Sequence, residues 1–117
     1  MHTPTTAHPS VRVLDEASFD EVVAAPDLPV LVDFWATWCG PCAPMADVLE
    51  AFAAAEAGRV VVASVDIDAH PGLARRFEVM SAPTLLLFVD GRPEGRWVGA
   101  RGPGRLREDL APHLARG

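Results

Sequence analysis

Short apolar runs alternate with amphipathic stretches along this 117-residue chain. Val30 to Ala36 (Val-Leu-Val-Asp-Phe-Trp-Ala) and Val60 to Asp66 (Val-Val-Val-Ala-Ser-Val-Asp) are almost wholly apolar, the pattern of strands covered on both faces. Between them Met45, Val48, Leu49, Phe52 and Ala53 recur at helical spacing, which predicts an amphipathic helix closed at Gly58. Val11 to Leu14 predicts a short first strand. Ser18 and Glu21, three apart, predict a capping box, with Ser18 as N-cap of a helix that carries Phe19, Val22 and Val23 on one face. Pro26 and Pro29 end that helix. Pro71 opens a short helix that buries Leu73 and Phe77. Thr84 to Val89 and Arg96-Trp97-Val98 predict two strands joined by a hairpin at Asp90-Gly91. Pro103 opens the last helix, with Leu106, Leu110 and Leu114 facing inward. The order βαβαβαββα implies an α/β fold, a central mixed sheet flanked by helices on both faces. Residues 1–10 lack periodicity and are expected to form a flexible tail, leaving 11–117 as one domain.

Composition narrows the partners. Half of the residues are apolar, enough for a single core, and the net charge is −6. An acidic balance disfavours nucleic acid and anionic membrane surfaces. All ten cationic residues are arginine. Six of them fall in residues 91–117 against three acids, and a solvated polar face is the expected reading of that stretch. No basic cluster followed by an apolar stretch marks a secretory signal in Met1 to Ser10. Apolar runs such as Leu85 to Val89 are too short to span a bilayer. A soluble cytoplasmic protein, monomeric, is expected.

Two cysteines separated by two residues, in a reducing compartment, point to redox or metal chemistry rather than a structural staple. Trp38-Cys39-Gly40-Pro41-Cys42 lies between a buried strand and an amphipathic helix. A helix N-terminus favours a nearby anion by roughly 0.3–1 kcal/mol, so Cys39 is expected to ionise more readily than a free thiol. Cys42 is less than one turn away, near enough to form a disulfide with Cys39, and Gly40 and Pro41 shape the turn. A zinc site needs four ligands. Only two cysteines exist, and His2, His8, His70 and His113 are scattered, so no metal is expected.

The segment from Val30 to Cys42 resembles the active-site segment of the thioredoxin family. Ser81-Ala82-Pro83-Thr84 resembles the family's cis-proline loop, Asp90-Gly91 its hairpin and Val98-Gly99-Ala100 its glycine loop. The likeness runs from about Val11 to Leu114. It implies a thioredoxin fold and a thiol-disulfide oxidoreductase without cofactor, acting on disulfide-containing proteins. Recycling would come from a thioredoxin reductase and, indirectly, NADPH; no dinucleotide-binding glycine motif is present in the chain. The resemblance implies that Cys39 attacks a substrate disulfide and that the more buried Cys42 resolves the mixed disulfide. Asp33, in the strand leading to the site, would be the acid/base for Cys42, its pKa raised by desolvation. Taken alone, a buried Asp could simply bridge backbone groups. Pro83 would be cis, an isomer that costs only ~0.5–1 kcal/mol at an X–Pro bond. Trp38, Gly40, Pro41, Ala82, Pro83, Val98 and Gly99 would line a shallow apolar groove for the substrate peptide.

The chain departs from the family pattern at several places. Ser64 stands where many members have a lysine near the buried aspartate, so Asp33 is expected to titrate higher than in those relatives. Ala43 replaces a basic residue after the second cysteine, Asp47 a helix-kinking proline, and Ala82 the commoner isoleucine; Pro44 is additional. The rival readings are a disulfide oxidant or isomerase, and a scaffold that uses the groove and not the thiols. Trp35 and Trp38 should lie close to the disulfide, so reduction is expected to raise their fluorescence. An unchanged emission spectrum would mean the strand–loop geometry is misread.

Overall fold

A computed structural model describes residues 10–24 and 27–114. Its elements are β1 (Val11–Val13), α1 (Glu16–Val23), β2 (Val30–Trp35), α2 (Cys42–Ala55), β3 (Val61–Asp66), α3 (Pro71–Arg76), β4 (Thr84–Val89), β5 (Arg92–Val98) and α4 (Pro103–Leu114). The order is the one expected. Five strands form one sheet in the order β1-β3-β2-β4-β5. β3 runs parallel to both β1 and β2, whereas β4 is antiparallel to β2 and β5. This is the thioredoxin fold.

Strand alternation divides the interior in two. Val30, Val32 and Phe34 of β2 join Ala63, Val65, Leu86 and Phe88 on one face, under Phe19 and Val23 of α1 and Leu73 of α3. Leu31, Val62, Leu85 and Leu87 face the other way, under Met45, Leu49 and Phe52 of α2 and Leu106 and Leu110 of α4. Asp33 has the parity of Leu31, and Ser64 that of Val62. Both therefore face α2, the helix that carries the second cysteine.

Two expectations are corrected at the ends of elements. The capping box of α1 is Asp15 with Ser18, not Ser18 with Glu21: the Ser18 N–H donates to Asp15 Oδ1 at 2.8 Å and the Asp15 N–H to Ser18 Oγ at 3.0 Å. Asp caps as well as Ser, and Glu16 and Ala17 let the helix begin three residues earlier. The Ser18 N–H holds the Asp15 carboxyl below its ordinary range. The helix ends at Val23 with Ala24 as C-cap, while Pro26 lies outside the described residues, as do residues 1–9 of the expected tail. The second correction concerns β5, which starts at Arg92 rather than Arg96. Asp90 and Gly91 have φ of 53° and 79°, the two positive values of a tight hairpin turn that leads directly into the strand. Pro93 is accommodated because β5 is an edge strand, and the pairing with β4 shifts register at Leu87/Phe88.

The core under α1 is aromatic. Phe19 sits 5.3 Å from Phe77 and 5.6 Å from Phe88, ring centre to ring centre, and is fully buried. Truncation there leaves a void between helix and sheet. Phe19→Ala is expected to lose about 3–5 kcal/mol of stability, read as a lower urea midpoint with an unchanged slope.

Candidate active site

β2 delivers the chain to the site. After Trp35 the backbone turns, the Cys39 N–H donating to the Ala36 carbonyl at 3.2 Å. The Cys42 and Ala43 N–H groups then donate to the carbonyls of Cys39 and Gly40 at 3.2 and 3.4 Å. Pro41 is the N-cap of α2, one position earlier than its preferred place in the first turn, and Cys42 is the first helical residue. Cys39 thus precedes the helix by one tight turn. The two cysteines form a disulfide, with Cα atoms 5.4 Å apart. Both are buried, at 7% exposure for Cys39 and 4% for Cys42, so they differ in neighbours more than in cover. Ala36, Trp35, Ile67 and Ala82 pack around them.

Behind the disulfide, a partly open cavity of about 330 Å³ is walled by Val11, Val13, Trp35, Ala46 and Leu49 and reached by Cys39, Cys42, Asp33 and Ser64. That is room for several waters. Asp33 is only 3% exposed, and its Oδ1 is buried without a hydrogen-bond partner among the described residues. Burial pushes its carboxyl up to about 7, because a charge is poorly solvated there. Ser64 is its register partner on β3, a neutral side chain that offers no charge to offset the desolvation.

In front of the disulfide, the Ala82-Pro83 peptide bond is cis. The Cys39 Sγ lies 3.3 Å from the Ala82 carbonyl oxygen, and Thr84 Oγ1 donates to the Ser81 carbonyl at 2.7 Å, fastening the loop from behind. The Gly99 N–H donates to the Pro83 carbonyl at 2.9 Å. Gly99 has φ of 100°, a conformation that favours glycine. The structure thereby brings Ala82, Pro83, Val98 and Gly99 to one side of the disulfide. Trp38 is 64% exposed, its indole N–H donating to Asp68 Oδ1 at 3.2 Å.

Comparison with known proteins settles the family. The thioredoxin family model matches residues 10–112. The chain belongs to the thioredoxin family. It is 50% identical over 102 residues to the thioredoxin of Mycobacterium tuberculosis, 87% of each chain. It is 47% identical over 105 residues to that of Alicyclobacillus acidocaldarius, covering 90% of this chain and 99% of the relative. A bifunctional thioredoxin reductase/thioredoxin of Mycobacterium leprae is 46% identical over 102 residues, 87% of this chain and 22% of that one. As a member of that family, the chain is a thiol-disulfide oxidoreductase with a redox-active Cys39–Cys42 pair.

Two participants at the site escaped the sequence reading. Asp68 is held for Trp38 by a turn in which Asp66 Oδ1 accepts the N–H groups of Asp68 and Ala69; an Asp-x-Asp ending a strand is the signal for such a turn. Arg101 was grouped with a solvated basic face, yet its guanidinium is turned inward on the glycine loop.

Burial of Asp33 has a stability consequence with a definite sign. Between pH 3.8, the ordinary value, and about 7 the unfolded chain has released this proton while the folded chain retains it. Rising pH therefore destabilises the native state across that window, by about 4 kcal/mol in all. Asp33→Asn escapes the loss. Relative to wild type, the oxidised variant should gain little stability near pH 4, gain steadily toward neutrality and level off above it. Urea unfolding at several pH values checks this; a gain independent of pH would refute the assignment.

Proposed function

We propose that this thioredoxin is a general protein-disulfide reductase of the cytoplasm, its chemistry carried by residues 11–117. Cys39 is the nucleophile, Cys42 the resolving thiol and Asp33 the acid/base. The carrying observation is the two-sided setting of the dithiol: the Ala82 carbonyl against Cys39 Sγ in front, and behind it a cavity with room for several waters that reaches the buried Asp33 carboxyl.

In the reduced protein the Cys39 thiolate attacks one sulfur of a substrate disulfide. A mixed disulfide forms, and the other substrate sulfur leaves as a thiolate that takes a proton from solvent. Cys42 then loses its proton to ionised Asp33, through water in the cavity, and attacks Cys39 Sγ. The Cys39–Cys42 bond forms, the mixed disulfide breaks and the second substrate sulfur departs as a thiolate, which takes up the proton that Asp33 received from Cys42, through the same water, leaving Asp33 ionised again. Two electrons have passed from the dithiol to the substrate. A thioredoxin reductase would return them, drawing on NADPH. The relative that carries both activities in one chain supports that partnership. A general base works best with a pKa near the working pH, which the Asp33 environment provides. Pro83 lacks an N–H that would compete for the cysteine sulfurs, while the Ala82 backbone can pair with an extended peptide. Trp38, Gly40, Pro41, Val98 and Gly99 complete a groove that reads shape rather than sequence. Among the described residues no helix is long and apolar enough to cross a membrane.

Insulin reduction driven by dithiothreitol tests the reading. Wild type should accelerate precipitation, Cys39→Ser should fall to the rate of dithiothreitol alone, and Cys42→Ser should accumulate a mixed disulfide with its substrate. Equal rates for wild type and Cys39→Ser would leave only a thiol-independent scaffold. A glutathione equilibrium that shows a strongly oxidising couple would replace the reductase with an oxidant.

A further inference from the structure

Arg101 lies between β5 and α4, and only 7% of its side chain is exposed. A guanidinium so covered needs its donors matched. Its Nε donates to the Gly99 carbonyl at 3.2 Å and one terminal nitrogen to the Val98 carbonyl at 2.9 Å. The other terminal nitrogen pairs with Oδ2 of Asp109, a side chain on α4 that is itself largely covered. The Arg101 backbone N–H rests against Sδ of Met45 at 3.5 Å, three residues beyond Cys42 on α2. One side chain thus joins α4 to the glycine loop, and its backbone seats that junction on the cysteine helix.

The junction leads to the reactive sulfur in short steps. Asp109 holds Arg101, Arg101 holds the carbonyls of Val98 and Gly99, and the Gly99 N–H holds the Pro83 carbonyl. Ala82, next to Pro83, places its carbonyl against Cys39 Sγ. With its N–H facing the cis-proline loop and its carbonyl facing Arg101, Gly99 is gripped from both sides.

We propose that Arg101 is a positioning residue for substrate recognition: tied to Asp109 of α4, it grips the Val98 and Gly99 carbonyls and keeps that wall of the groove in register with Ala82 and Cys39. It acts on the affinity for protein disulfides and not on exchange at sulfur. The inference rests on the groove assigned above. A planar fork is required, because one group must reach two carbonyls and a carboxylate at once; an ammonium on a flexible stem cannot span all three.

Three variants separate the possibilities. Arg101→Met alone would leave Asp109 buried without its partner, so the double variant Arg101→Met/Asp109→Leu is used, which removes both charges. Arg101→Lys keeps the charge opposite Asp109 but loses the fork. Val98→Asp places a charge in the groove directly. Each is assayed with insulin and with a small aryl disulfide that needs no groove, and its redox potential is measured against glutathione. The double variant and Arg101→Lys should raise the KM for insulin about tenfold, the loss of one or two charge-assisted hydrogen bonds, while kcat, the small-disulfide rate and the potential stay within twofold. An unchanged KM in both overturns the proposal, and so does a parallel fall in both substrates. If Val98→Asp raises the KM and the arginine variants do not, only the role of Arg101 falls; if Val98→Asp has no effect, the groove itself is misplaced.

Discussion

The strict alternation of side chains along β2 is the constraint on which the rest of the molecule depends. A strand hydrogen-bonded on both sides cannot slip by one residue without turning every side chain to the opposite layer. β2 is such a strand, with β3 on one side and β4 on the other. Its odd-numbered positions face α2, so an aspartate at position 33 must lie beneath the helix that begins at Cys42. Asp33 and Cys42, proposed above as acid/base and resolving thiol, are brought to one cavity by parity. No hydrogen bond to either has to hold them there.

This arrangement works because the position is unfavourable for a charge. Within an apolar layer a carboxyl without a partner resists ionisation, and the same desolvation that weakens the fold near neutral pH makes the proton available there. Ser64 opposite Asp33 leaves that tension unrelieved. In the proposed mechanism one side chain acts on stability and on reactivity in opposite directions, and the surrounding layers of Leu, Val and Phe hold it in place.

Much of this was legible in the residues. The buried strands were visible as apolar runs and the helices as periodic ones, and the Trp-Cys-Gly-Pro-Cys segment fell where a strand meets a helix. What escaped were individual hydrogen bonds that no periodic pattern announces. The cap of α1 was misplaced because Asp15 and Ser18 satisfy the same hydrogen-bond pattern as the pair three residues later. The inward turn of Arg101 could not be read from its neighbourhood, where four other arginines lie within ten residues, and two of those, Arg105 and Arg107, belong to an exposed helix face. All ten Lys/Arg positions are arginine, and forked donors hold main-chain carbonyls elsewhere too. Arg59 does so at Leu114 and Arg96 at Phe77 and Glu78.

The outer margin of β5 carries a further implication. Seven residues of extended chain at the rim of a sheet would ordinarily invite another molecule to continue the ladder. Here proline removes one donor and the pairing with β4 slips in register, both of which spoil the rim as a template. Stacking of copies through this rim is thereby discouraged during folding and at high concentration. The peptide-binding edge proposed at Ala82 would then have no unselective competitor at this rim.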